Sequence, residues 1–96
     1  MMVVVIASMK AKPGLEKTLV ENCIKMAEAV RENEKDCLLY KPYVNPEDPL
    51  DVIMVERYTD EKALEYHMQT PYFKEGMAKL PELLDAPVDI LKSYTE

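Results

Sequence analysis

The chain has 96 residues, 48% of them hydrophobic, and a net charge of −6, which fits one small domain over residues 1–96. A chain this short buries too little surface to be comfortable alone, so a homo-oligomer is expected. The acidic balance excludes a nucleic-acid surface. No apolar run approaches the roughly 18 residues of a membrane span, and Met1 to Ile6 lacks the basic start and long core of a signal peptide, so a cytoplasmic protein is expected.

Val3 to Met9 is short and rich in β-branched residues, which predicts a central strand covered on both faces. Lys12-Pro13-Gly14 is a turn signal. From Leu15 the period becomes helical: Leu15, Leu19, Cys23, Met26 and Val30 form a stripe that Val20, Ile24 and Ala27 widen. This helix is expected to fade into the polar run from Glu32 to Asp36. Cys37 to Val44 reads as a second strand, placed at an edge or bulge by Pro42, which cannot donate to a ladder. A turn over Asn45 to Pro49 leads to a third strand, Asp51 to Tyr58, predicting an antiparallel hairpin. On that strand Val52, Met54, Glu56 and Tyr58 share one face, and Ile53, Val55 and Arg57 the other.

Thr59 or Asp60 caps a short helix that ends in His67-Met68-Gln69. Its inward face carries Ala63, Leu64, His67 and Met68. Thr70 caps the next helix, with Pro71 at its first position, where a missing N–H costs nothing. Phe73, Met77, Leu80 and Leu84 form its stripe, Gly76 permits a close approach, and Pro81 predicts a kink or break. Asp85-Ala86-Pro87 ends the helices, and Val88 to Tyr94 is the last strand. Two right-handed crossovers around a central hairpin make an α+β, ferredoxin-like split β-α-β arrangement. Helices cover one sheet face, and the apolar Ile53 and Val55 on the other suit sheet-to-sheet dimerisation.

Cys23, Cys37 and a single histidine do not make up the roughly four ligands of a zinc site, so two reduced, mostly buried thiols and no metal are expected. The two glycines, Gly14 and Gly76, lie in no phosphate loop or nucleotide fingerprint, so no cofactor is expected.

Glu56-Arg57-Tyr58, followed by Asp60, Ala63, Leu64, His67, Thr70-Pro71 and Phe73, resembles the signature of the antibiotic biosynthesis monooxygenase family. Lys12-Pro13-Gly14-Leu15-Glu16 is similar to that family's first turn, Cys37-Leu38-Leu39-Tyr40 to its second strand, and Asn45 to Pro49 to its hairpin. Asp36 departs from the family pattern, which has glycine before the cysteine. The resemblance implies a homodimeric α+β barrel, two ferredoxin-like units packed sheet to sheet. Members include cofactor-independent oxygenases of quinols and polyketide phenols, an isomerase of a phosphorylated quorum-sensing signal, and haem-degrading enzymes. Tyr58 stands where haem degraders carry tryptophan, and Met77 or its neighbours where they carry the haem-ligating histidine, which argues against haem degradation.

His67 is the candidate general base, able to take a proton from a phenol or move one between carbons of a carbonyl compound. The competing reading is a structural histidine bonded under the helix turn. Glu56 is the second candidate catalytic residue, to orient His67 or to act as acid or base if burial raises its pKa, against a plain salt bridge. Tyr40, Met54, Tyr58, Tyr72 and Phe73 are candidates to bind a flat small-molecule substrate, against ordinary core packing. Two functions stay open: a cofactor-independent monooxygenase or related isomerase of a quinol, phenol or hydroxy-ketone, and a non-catalytic dimeric ligand-binding protein.

Overall fold

The computed structural model of the chain describes residues 1–95. Its elements are β1 (Met2–Lys10), α1 (Glu16–Asn33), β2 (Cys37–Asn45), β3 (Asp48–Tyr58), α2 (Glu61–Gln69), α3 (Pro71–Leu83) and β4 (Asp89–Thr95). The four strands form one antiparallel sheet in the order β2-β3-β1-β4. That is the expected α+β, ferredoxin-like arrangement. Among the described residues no helix is long and apolar enough to cross a membrane.

The sheet is covered on one face. Val3, Val5, Ala7 and Met9 of β1 are buried beneath the helices, while Val4, Ile6 and Ser8 between them are only half-buried. The prediction of a strand covered on both faces therefore fails within one chain. Its central position comes from hydrogen bonding to β3 and β4, not from a second layer. On β3 the expected alternation holds, with Val52, Met54, Glu56 and Tyr58 facing the helices and buried. β2 is an edge strand, as Pro42 requires, with register shifts between Cys37 and Leu39 and between Val44 and Asn45.

Several boundaries move for local reasons. The hairpin turn narrows to Pro46-Glu47, and Asp48 to Leu50 join β3. Two short polar bonds allow this: Asn45 Oδ1 accepts from Glu47 N, and Asp48 Oδ1 from Leu50 N. Leu50 O then accepts from Ala11 N at 2.8 Å, so the extended end of β3 is paired. Pro81 does not break α3. The helix runs on to Leu83, and the Leu84 N–H bonds Leu80 O at 3.0 Å. Val88 falls outside β4, which begins at Asp89.

Before α1, Gly14 takes φ of +91°, a conformation that costs other residues their Cβ contacts, and its N–H bonds Glu16 Oε1. Of the predicted stripe of α1, Leu19, Cys23, Met26, Ala27 and Val30 are buried, Leu15 and Val20 are half-buried, and Ile24 is exposed. Gly76 is needed for a different reason: a Cβ there would lie 2.1 Å from Met26 Cε, so its absence lets α1 and α3 close up. Of the two candidate caps for α2, Asp60 is the one used, accepting from Ala63 N at 2.9 Å.

Thr70 joins α2 to α3. Its hydroxyl donates to His67 O at 2.7 Å and accepts from Phe73 N at 3.3 Å. Thr70→Ala removes both and should lower stability by about 1 kcal/mol, a drop of about 4–8 °C in melting temperature for a domain of this size. Thermal unfolding measures it, and an unchanged curve would mean that the junction is held by other groups.

Candidate active site

Between the sheet and the helices lies a cavity of about 280 Å³, at the small end of the range for ligand pockets. Its walls are mostly apolar, with Met54 of β3, Met26 of α1, and Phe73 and Met77 of α3 among them. Its polar wall groups include Tyr40, Glu56 and His67. Met68, Ile90 and Lys92 also line it and are themselves exposed, so the open side lies between α2 and β4. All residues of β4 are exposed, and Glu61 of α2 meets Lys92 there at 3.0 Å.

His67 sits one turn after Leu64 on the inward face of α2 and is 1% exposed. Its ring packs against Tyr40, Tyr58 and Phe73, with centroids 5.0, 5.7 and 4.8 Å away. Nδ1 lies 2.9 Å from Glu34 Oε2 and 3.2 Å from Oε1. Nε2 is buried and has no hydrogen-bond partner among the described residues. Such an unsatisfied group costs about 1–3 kcal/mol and calls for an explanation. Burial holds the imidazole below its usual ionisation range, and bonding to Glu34 opposes part of that effect. Burial thus favours the neutral ring.

Of the two roles the sequence offered Glu56, orienting His67 finds no contact here, since the bond to Nδ1 is made by Glu34. Glu56 faces the cavity from β3 and accepts a hydrogen bond from the Tyr58 hydroxyl at 2.5 Å. Burial raises its carboxyl from the ordinary 4.5 to about 7, against the lowering effect of Tyr58. Burial also pushes the hydroxyls of Tyr40 and Tyr58 well above the usual phenol range, with the charge of Glu56 adding to it.

Of the residues singled out from sequence, His67, Glu56, Tyr40, Met54 and Phe73 come together on the cavity wall. Tyr58 and Tyr72 do not. Tyr58 is fully buried, with its hydroxyl on Glu56 Oε1, and does not line the cavity. Tyr72, in the first turn of α3, donates its hydroxyl to Glu34 Oε2 on the far side of the ring. Glu34 itself was read as part of a polar run after α1, yet its side chain is 3% exposed. A signal existed: four residues after Val30, Glu34 continues the buried stripe of α1.

The thiols are inert by environment. Burial raises Cys23 to about 11 and Cys37 to about 12, so neither is a thiolate nucleophile near neutrality. Among the described residues no group of three or more His, Cys, Asp or Glu side chains is arranged to hold a metal ion. What the site offers is proton chemistry: a neutral imidazole with a bare nitrogen, and a carboxyl that carries its proton near neutrality.

Comparison with known proteins agrees with this architecture. The family model described as "Antibiotic biosynthesis monooxygenase" matches residues 2–79. An uncharacterised protein of Synechocystis is 32% identical over 88 residues, 92% of this chain, which spans 59% of that relative's length. A Bacillus subtilis protein named "Putative monooxygenase YcnE" is 27% identical over 96% of both chains. The solved structure of Rv0793 from Mycobacterium tuberculosis superposes with a TM-score of 0.91 at 26% identity, covering 100% of this chain and 96% of that one.

Glu56 makes stability depend on pH. Its folded value is raised, so its contribution is complete below about 4.5 and is lost as pH rises through about 7. Glu56→Gln, which cannot ionise, should match the wild type near pH 4.5 and exceed it at pH 8 by about 3 kcal/mol. Urea unfolding at both pH values tests this, and a difference independent of pH would mean that Glu56 titrates as an ordinary carboxyl.

Proposed function

From the premise that the chain belongs to the antibiotic biosynthesis monooxygenase family, we propose that it is a cofactor-independent monooxygenase of a small phenol or quinol, with His67 as general base. The observation that carries this reading is the buried, unpartnered Nε2 of a neutral imidazole on the wall of an apolar cavity. The name of the Bacillus subtilis relative supports the same class of reaction.

His67 Nε2 takes the hydroxyl proton of the substrate, and the imidazolium forms against Glu34. The substrate anion is electron-rich, and the low-dielectric cavity does not solvate it as water would. It transfers electrons to O₂ and forms a carbon–oxygen bond, giving a peroxide. The hydrogen on the peroxide-bearing carbon leaves as a proton and the O–O bond breaks to give the carbonyl, while the imidazolium or the protonated Glu56 protonates the departing oxygen, which leaves as water. One oxygen atom enters the product and the other leaves as water; both electrons of the second reduction come from the substrate, so no external reductant is needed. In a hydroxy-ketone the same base moves a proton between adjacent carbons, which is the isomerase variant of this chemistry. Tyr40, Met54 and Phe73 act as the walls that hold a flat ring.

His67→Ala should keep the fold and lower turnover of a responsive quinol, phenol or hydroxy-ketone by roughly 10²-fold or more. Wild-type turnover should rise with pH through an ionisation below the imidazole's usual 6.5, and O₂ uptake separates oxygenation from isomerisation. A destabilised variant with normal turnover per folded molecule would make His67 structural. Ligand binding without turnover in the wild type would favour a non-catalytic binding protein.

The working unit in this proposal is a homodimer. The uncovered sheet face carries Val4 and Ile6 of β1 and Ile53 and Val55 of β3, all only half-buried, with Tyr43 and Leu91 exposed beside them. Light scattering at micromolar concentration should give about twice the 11.1 kDa chain mass. A folded monomer would overturn sheet-to-sheet pairing.

A further inference from the structure

We propose that Glu34, held in place by Tyr72, is the positioning residue of this site: it keeps the imidazole proton on Nδ1 of His67 and turns the bare Nε2 to the cavity. This rests on His67 being the base and extends that reading to two residues behind the ring.

The argument is one of donors and acceptors. An ionised carboxylate only accepts hydrogen bonds. Both oxygens of Glu34 lie within 3.2 Å of Nδ1, so Nδ1 supplies the hydrogen. A neutral imidazole has one ring proton, and with that proton on Nδ1, Nε2 has a lone pair and nothing else. In this assignment the unpartnered Nε2 is a free acceptor. The opposite tautomer would set a lone pair against the carboxylate and bury an N–H with no acceptor.

Tyr72 fixes the carboxylate. Its hydroxyl donates to Oε2, the oxygen nearest Nδ1, so rotation of the carboxylate would break two bonds together. The backbone of Glu34 is anchored on both sides, its N–H on Val30 O at 2.8 Å and its C=O accepting from Cys37 N at 3.2 Å. Glu34 caps the end of α1, His67 lies in the last turn of α2, and Tyr72 lies in the first turn of α3. Three helix ends thus meet at one carboxylate. Protonation of Nε2 would place an imidazolium against this anion in a dry setting, where the attraction exceeds its value in water. Glu56 has a different place: it lies on the cavity wall, and its partner is Tyr58.

His67 is the sole histidine, so its ring nitrogens give single resolved signals in ¹⁵N NMR. The titratable groups around it are Tyr40 and Cys37 of β2, Glu56 and Tyr58 of β3, Cys23 of α1, Lys92 of β4, and Glu34 and Tyr72. The wild type should show a protonated Nδ1 and a bare Nε2 at neutral pH. Glu34→Gln should keep that tautomer against the amide oxygen but make the ring titrate at lower pH, because the anion is gone. The rising limb of its turnover profile should move the same way, and plateau turnover should fall roughly tenfold or more. Tyr72→Phe should move both in the same direction by less. A purely structural Glu34 would lower stability and leave the ring titration in place. A wild-type ring protonated on Nε2, or an unmoved titration in Glu34→Gln, would overturn the proposal. Should Glu34→Gln not fold, the wild-type tautomer and the Tyr72→Phe titration decide it. Absence of turnover on every substrate tried would end the reading of His67 as a base, while the ring signals would still decide what Glu34 does.

Discussion

The bond between His67 Nδ1 and Glu34 joins two groups that are both sealed from water, and the surrounding structure is arranged to make that burial tolerable. A buried carboxylate needs donors, and it has two, the imidazole and the Tyr72 hydroxyl. A buried imidazole needs its orientation held, and three aromatic rings and the Thr70 junction hold it. The loop between α1 and β2, the α2–α3 corner and the edge of the cavity are thereby tied to one polar contact. Loss of one partner would leave the other as an unpaired buried group, far more costly than an absent surface ion pair.

The cavity exists because the helix layer does not cover the whole sheet. α1 and α3 pack closely where Gly76 meets Met26, and Leu64 of α2 packs over Val3, Val5 and Tyr58. β4 stays exposed, touched from α2 by the Glu61–Lys92 ion pair at 3.0 Å, and its Ile90 and Lys92 form part of the cavity rim. Flexible methionine side chains, Met26, Met54, Met68 and Met77, make up much of the wall. Such side chains adapt to the shape of an apolar guest, while the directional chemistry is confined to one corner with His67 and Glu56.

Much of the fold was legible in the sequence. The change from alternation to helical spacing at Leu15, the apolar stripe of α1, the alternation of Val52, Met54, Glu56 and Tyr58, and the Thr70-Pro71 helix start are all found in the structure. Misjudgements were local. Pro49 suggested a longer turn, but two short polar bonds let the strand begin at Asp48. Pro81 suggested a break, but the helix continued to Leu83. Of the candidate site, His67, Glu56, Tyr40, Met54 and Phe73 were brought together on one cavity.

By itself the sequence determined the order of the elements, the inward faces of β3 and of most of α1, and that the one histidine is among the inward residues. These follow from period and chirality, which act over a few neighbouring residues. Only the tertiary structure decided that the partner of His67 is Glu34, 33 positions away, instead of Glu56. It also decided that Tyr58 and Tyr72 stand behind the two carboxyl groups instead of in the cavity. Pairing of buried polar groups depends on where the ends of separate helices and strands meet, and no local spacing rule carries that distance.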